Sequence, residues 1–194
     1  MKKLLLALVL ITAQIAASAQ TKWNVDKSHS NVKFSVEHLV ISEVDGSFRT
    51  FNGGITSSKP DFSDASIDFT IDINSIDTED QRRDGHLKGE DFFNAAKYPE
   101  MKFKSTSFKK KSGNTYVLIG NLTIRDVTKA VTFNVVYGGT AKDGYGNIKS
   151  GFKASTTIDR FDYGLKWNAL TEAGGATVGK DVQIKMNLQF AQAK

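Results

Sequence analysis

The sequence predicts an all-β domain of about eight antiparallel strands, a barrel or a sandwich, with one short helical insert. Most of the chain alternates apolar and polar residues with period two, which gives each strand one dry face and one wet face. Turn clusters such as Lys59-Pro60-Asp61 and Gly138-Gly139 through Gly144-Tyr145-Gly146 divide those segments. A single stretch, Ser75 to Pro99, loses the alternation and carries helix signals instead.

Taken in chain order, Met1 to Ala19 reads as a secretory signal peptide. Lys2 and Lys3 supply a positive start, Leu4 to Ile11 is an unbroken apolar run, and Ala17-Ser18-Ala19 has the small-residue pattern of a cleavage site. A membrane anchor is the competing reading, but the run is short and Gln14 and Ser18 interrupt its continuation. Cleavage would leave Gln20 as the N-terminus and 20–194 as one exported barrel domain, periplasmic or secreted.

The strands follow. Val32, Phe34, Val36 and His38 share one face, as do Ile67, Phe69, Ile71 and Ile73, then Met101 and Phe103, then Val131, Phe133, Val135 and Tyr137. Further strands are expected at Val44 to Ser57, Asn114 to Ile124 and Asn147 to Ile158. The last strand is the clearest: Val182, Ile184, Met186, Leu188 and Phe190 alternate with Asp181, Gln183, Lys185, Asn187 and Gln189, which fixes its register. The run Lys109 to Lys111 beside Gly113-Asn114 reads as a solvated hairpin tip.

In the insert, Thr78-Glu79-Asp80-Gln81 has the spacing of a capping box, with Thr78 taking the N3 amide and Gln81 reaching back. Gly89 is expected to close the helix in a left-handed conformation, Asp91 to cap a second turn through Phe92 and Phe93, and Pro99 to stop it. The insert should lie across one barrel opening or against the wall.

Composition narrows the function classes. The 194 residues include no Cys, two Pro and sixteen Gly, with 40% apolar and 24% charged residues, which excludes collagenous, disordered and disulfide-stapled chains. Lys and Arg number 26 against 21 Asp and Glu, and loss of Lys2 and Lys3 with the signal leaves 24 against 21. That surplus is too small to argue for nucleic acid. Three His without Cys and without a short His-His spacing argue against a dedicated metal site, and no cofactor is expected.

Eight antiparallel strands can close on themselves and just enclose one small ligand. With strands of about ten residues rising ~3.3 Å each at a tilt of about 40°, the interior would be roughly 25 Å tall. Its inward set is hydrocarbon, so it suits a hydrocarbon ligand, each buried methylene contributing about 0.8 kcal/mol before ordering costs. Periodicity alone favours a barrel filled by these same side chains.

A resemblance shifts that balance. The run Trp23-Asn24-Val25-Asp26-Lys27-Ser28-His29-Ser30-Asn31-Val32-Lys33-Phe34-Ser35-Val36-Glu37-His38 resembles the opening of the YceI-like lipid/polyisoprenoid-binding family. Arg83-Asp84-Gly85-His86-Leu87 with Asp91-Phe92-Phe93, Tyr98-Pro99 and Phe103 is similar to the family's helical signature. Gly120 through Thr128 and Arg160-Phe161-Asp162-Tyr163-Gly164-Leu165 resemble two further blocks, with Asp126 where the family usually has Gly and Ala130 where Pro is common. The resemblance implies an eight-stranded, lipocalin-like antiparallel barrel closed by a helical segment, holding an isoprenoid or fatty amphiphile in its pore. Transient membrane contact for loading and a homodimer are compatible with that reading.

The expected ligand-lining set is Phe34, Val36, His38, Phe69, Ile71, Phe92, Phe93, Phe103, Phe133, Val135, Phe152, Met186 and Leu188. His38 would meet a ligand head group or be a backbone-bonded structural histidine. Phe92 and Phe93 would face the cavity or anchor the helix. Arg83, Asp84 and His86 fall within one helical turn, where structural bonding to the rim competes with ligand contact. Ser28 and His29 suggest nucleophile and base, yet neighbours on a strand diverge and no third orienting group is placed. Arg160 and Asp162 beside Gly164 read as a turn-fixing ion pair. No catalytic residue is assigned. Two other readings stay open: an enzyme on an apolar substrate using His38 with Asp84 or His86, and a stress-response scaffold whose rim binds a protein.

Overall fold

A computed structural model describes residues 20–169 and 177–194; the expected signal, Met1 to Ala19, lies outside the described residues. Eleven strand segments are formed: β1 (Thr21–Val25), β2 (Asn31–His38), β3 (Ser42–Phe48), β4 (Phe51–Ser57), β5 (Ser66–Asp72), β6 (Ile76–Asp77), β7 (Glu100–Ser112), β8 (Thr115–Ile124), β9 (Val127–Lys142), β10 (Ile148–Asp159) and β11 (Val178–Gln192). Hydrogen bonding runs β1-β4-β5-β7-β8-β9-β10-β11, and β1 pairs with β11 to close an antiparallel ring of eight. The barrel of the sequence reading is therefore the fold, with no sandwich.

The long strand β11 carries two segments along one edge. Near its end it pairs with β1, at Trp23 opposite Gln192, and earlier with β2, at Val36 opposite Val182. In the same way β3 continues β4 and β6 continues β5, so β11-β2-β3-β6 extends the wall below the closed ring. The strand expected from Val44 to Ser57 is broken at 49–50, level with the breaks at 26–30 and 73–75. Cross-wall bonds hold this corner: Arg49 N–H donates to the Ser75 carbonyl at 3.0 Å and Asp72 N–H to the Thr50 carbonyl at 3.0 Å. The alternation changes phase across this corner, from inward Phe48 on one side to inward Phe51 and Ile55 on the other, so one continuous strand from Val44 to Ser57 could not have kept a single dry face.

Helix α1 (Gln81–Lys88) hangs beside β6, the edge of that extension. Its N-cap is Asp80, whose carboxylate accepts from Arg82 and Arg83 N–H, in place of the expected Thr78. Thr78 instead donates its N–H and hydroxyl to Asp84 Oδ1 at 2.9 and 2.6 Å. Arg83 donates Nε to Thr78 Oγ1 and Nη2 to the Thr78 carbonyl, so Arg83 and Asp84 staple the helix to the end of β6. Gly89 closes the helix in extended geometry, φ −72° and ψ 176°, contrary to the left-handed expectation. No second helix forms at Asp91; a series of turns follows, with Phe93 N–H donating to the Leu87 carbonyl.

The opposite end is plugged by a side chain the sequence reading passed over. Phe62, in the turn after Lys59-Pro60-Asp61, holds left-handed backbone at φ 60° and is only 2% exposed. Its ring meets Trp23 and Phe152 at 5.2 Å and Tyr137 at 5.6 Å. Tyr116 donates its hydroxyl to the Asp61 carbonyl at 2.7 Å, tying the plug to β8. Lys109 to Lys111 stand exposed at the end of β7 before the Gly113-Asn114 turn, as expected of a hairpin tip.

Candidate functional site

The inward side chains of β2 and β11 come from the alternation described above, and the structure gathers them around the barrel axis. Two cavities lie along it. The larger, about 540 Å³, occupies the helix end and falls within the ~300–1,000 Å³ typical of ligand pockets. The smaller, about 100 Å³, lies inside the closed ring. Phe34, Phe48, Met101, Ile124 and Ile184 border both, so these five side chains form a waist between two chambers.

All thirteen expected lining residues face this space. Phe34, Val36, His38, Phe92 and Phe93 line the larger chamber. Phe69, Ile71, Phe103, Phe133, Val135, Phe152, Met186 and Leu188 line the smaller one, together with Phe34. The barrel is thus hollow at the helix end and largely filled at the other. Extended backbone keeps the register, and glycine keeps some rings against the wall. Phe34 is paired with Gly46 and Phe69 with Gly53, and each ring takes the volume that a Cβ on its partner would need.

The helix end is the wall with chemistry in it. Phe92 and Phe93 do both things considered for them: each lines the chamber and each anchors the insert. Phe92 packs against His86 at 5.1 Å and Trp167 at 5.4 Å, and Phe93 meets Phe48 edge-on at 6.1 Å. His86 Nε2 lies 3.1 Å from Asp91 Oδ2. The His38 ring makes no hydrogen bond among the described residues; its carbonyl accepts from Ile41 N–H and the Ser42 hydroxyl.

Arg160 corrects the ion-pair expectation. Its guanidinium is buried and donates to four backbone carbonyls: Gly179 and Trp167 at 2.8 Å, Val178 at 3.1 Å and Leu165 at 2.5 Å. Burial pushes it below the ordinary arginine value, with Asp159 opposing the shift. Asp162 pairs with Lys129 instead, at 2.9 Å. Alternation says nothing of a side chain that turns back on its own backbone, so this clamp was not legible. Tyr163 contributes to the same wall; its hydroxyl is buried without a partner among the described residues, and burial raises its pKa to about 12. Arg125 was also missed: its Nη1 donates to the Phe92 and Gly164 carbonyls, joining the insert to the turn after β10.

Ser28 and His29 are on a short 3-10 turn (Lys27–His29), not on a strand, and Asp26 does supply a third group. Ser28 Oγ and Asp26 Oδ2 both lie 3.0 Å from His29 Nδ1, so they converge on one ring nitrogen. A relay needs the two partners on opposite nitrogens. The cluster stands outside the barrel and serves as a cap: Asp26 also accepts from Lys149 Nζ at 2.8 Å and Gln189 Nε2 at 3.3 Å. Those bonds, with Lys149 foremost, hold its carboxyl far below the usual range. Among the described residues no group of three or more His, Asp or Glu is placed to hold a metal ion.

The profile of the YceI-like domain matches residues 23–190. The chain belongs to the YceI-like family. A UPF0312 protein of Photorhabdus laumondii is 38% identical over 170 residues, 86% of this chain and 88% of its own length. The crystal structure of a Campylobacter jejuni YCEI protein is 32% identical, with a TM-score of 0.69 over 81% of this chain and 90% of that one. A polyisoprenoid binding domain from Saccharophagus degradans, 17% identical, shares the fold with a TM-score of 0.64 over 88% and 98%.

On this YceI-like barrel the four sequence blocks take distinct places. The opening block spans β1, the capped turn and β2; the helical block forms the lid stapled to β6; the last block carries the Arg160 clamp. Asp126, the departure from Gly, accepts a hydrogen bond from Tyr98 Oη at 3.0 Å and so ties the β8-β9 turn to the insert. Nothing in the structure explains the departure at Ala130.

Proposed function

We propose that this chain is an exported carrier that holds an isoprenoid or other long-chain amphiphile in its barrel without chemically altering it. The observation that carries the reading is the apolar chamber of about 540 Å³ beneath the helix. A chamber bordered by Phe34, Val36, Phe93 and Ile184 offers a hydrocarbon body burial at about 25 cal/mol per Å² and offers it few polar partners. Membership of the family, and the ligand named for the Saccharophagus degradans domain, favour the isoprenoid class. Export to the periplasm or medium follows from the signal pattern of Met1 to Ala19.

Organic extraction and mass spectrometry of the purified chain test this. A single class of long-chain amphiphile, recovered near one per chain, is the expected outcome. Protein that remains empty from every preparation and takes up neither isoprenoids nor fatty amphiphiles ends the reading. The N-terminal residue of the exported protein, expected at Gln20, is read in the same spectra.

A further inference from the structure

Six large apolar side chains are exposed among the described residues, and three of them are consecutive: Leu39, Val40 and Ile41, at 39%, 65% and 84%. They form the turn between β2 and β3. Leu39 and Val40 both hold left-handed backbone, at φ 54° and 64°. That region is costly for bulky residues and most of all for a β-branched one, whereas Asn and Gly enter it readily. The turn is nevertheless held firmly. Ile41 N–H donates to the His38 carbonyl at 3.2 Å, and Leu39 N–H donates to the Thr177 carbonyl at 3.0 Å, which fixes the tip beside the start of β11. Backbone strain is therefore spent on keeping three aliphatic side chains in water, where a turn made only for connection would be polar.

The position of the tip identifies its occupant. His38 and Val178, on either side of it, line the larger chamber, as does Thr177. The tip thus stands at the mouth of the apolar cavity. The charged residues flanking it in sequence, Glu37 and Glu43, are exposed and acidic and give anionic head groups no partner at the tip itself, while Arg82 and Arg83 line the chamber behind it. A second copy of the chain is a poor match, because three side chains on a protruding turn supply far less than the roughly 1,200–2,000 Å² of a stable interface. Hydrocarbon needs neither charge nor area on that scale, since each aliphatic side chain gains separately on leaving water.

We propose that the Leu39–Ile41 turn is a membrane-insertion tip that sets the cavity mouth against a lipid bilayer. It rests on the carrier reading for its purpose: the amphiphile passes between bilayer and chamber without crossing water.

Co-sedimentation with phosphatidylcholine vesicles, using the whole exported chain, tests the docking directly. Association is expected with neutral vesicles and is expected to survive high salt. Ile41→Asp should weaken partition by at least about tenfold, the equivalent of one aliphatic side chain kept in water. Ile41→Trp should show blue-shifted indole emission when vesicles are added. Val40→Gly relieves the strained backbone, so it should raise the melting temperature while weakening partition, a combination that a purely structural turn would not give. The proposal is overturned if the chain ignores vesicles, if high salt releases it, if the Ile41→Trp emission does not move, or if Ile41→Asp instead abolishes a dimer formed without vesicles. The two readings fail separately. A chain that yields lipid on extraction but whose vesicle binding is indifferent to Ile41→Asp keeps carriage and loses docking. An empty chain whose vesicle binding depends on Ile41 loses carriage alone.

Discussion

Phe34 on β2 lies over Gly46 on β3: the two are register partners, and a Cβ at position 46 would fall 2.3 Å from the Phe34 Cζ atom. The three nearest atoms to that Cβ all belong to the Phe34 ring, which also borders both chambers. The glycine therefore gives the ring somewhere to rest other than the lumen, and the size of the waist depends on it.

Gly46→Ala should push the Phe34 ring inward and shorten the longest chain the barrel accepts, at a stability cost of about 1–3 kcal/mol. Phe34→Ala should do the opposite, joining the two chambers and admitting longer chains. Native mass spectrometry of uptake from a mixed series of isoprenoid alcohols would read both shifts, and identical length profiles would dismiss the waist as a selector.

Gly53→Ala meets a harder obstacle. Its Cβ would clash with the Phe69 ring at 2.2 Å and also with the Asp68 carbonyl oxygen at 2.8 Å, which is backbone and cannot swing away. A larger loss than for Gly46→Ala is expected, about 3 kcal/mol or more. Urea unfolding of the two variants side by side gives the comparison.

Val36→Trp fills the larger chamber from its wall. Val36 is paired with Val44 and Val182, all three bordering that chamber. Lipid uptake should fall by about tenfold, as overpacking of roughly 1–3 kcal/mol competes with the ligand. A folded variant with undiminished uptake would move the ligand elsewhere.

Acidification should act through Asp26. Its folded pKa lies below the ordinary 3.8 because Lys149, Ser28 and His29 hydrogen-bond its carboxylate. The stability this contributes is complete above about pH 5 and is lost as pH falls below the unfolded value toward the folded one. Asp26→Asn should cost about 2 kcal/mol at neutral pH, because Lys149 and Asp26 are both largely buried. The variant should also flatten the fall in stability between about pH 5 and about pH 2, measured by urea unfolding across that range.

Arg160→Lys replaces a planar fork by a single ammonium. At least one of the four carbonyls it serves would lose its donor, at about 1–3 kcal/mol, and Lys is not an equivalent cation at such a site. Hydrogen exchange should quicken around Leu165 and Val178 well before the ring of strands responds. Unchanged exchange there would mean that the clamp is dispensable.

The extent to which the site was legible follows from the kind of signal each residue gives. Val182 through Phe190 alternate strictly, and one face of a strand in a closed ring must point inward, so the lining could be read without coordinates. Asp80 displaced Thr78 as the cap because the Thr78 hydroxyl oxygen accepts from Arg83 Nε and the Thr78 N–H goes to Asp84, a competition decided by the docking of the helix on β6. Phe62 left no periodic trace, since it plugs the barrel from a turn. Leu39, Val40 and Ile41 include none of the usual turn residues and drew no expectation from the sequence; the exposed turn they form is visible only in the folded backbone.

The sequence by itself determined which face of most strands is dry, that about eight antiparallel segments are available, and which of their side chains point toward the axis, because a period of two admits one register per buried face; β1, which closes the ring, was not among those segments. Tertiary structure decided that the ring is hollow at one end and stoppered at the other. That outcome depends on contacts between residues distant in the chain: Phe34 resting on Gly46, Phe62 lodged among Trp23, Tyr137 and Phe152, and Arg160 gathering carbonyls from the segment just after its turn and from the start of β11. Volume is a property of the assembled walls, and no local pattern encodes it.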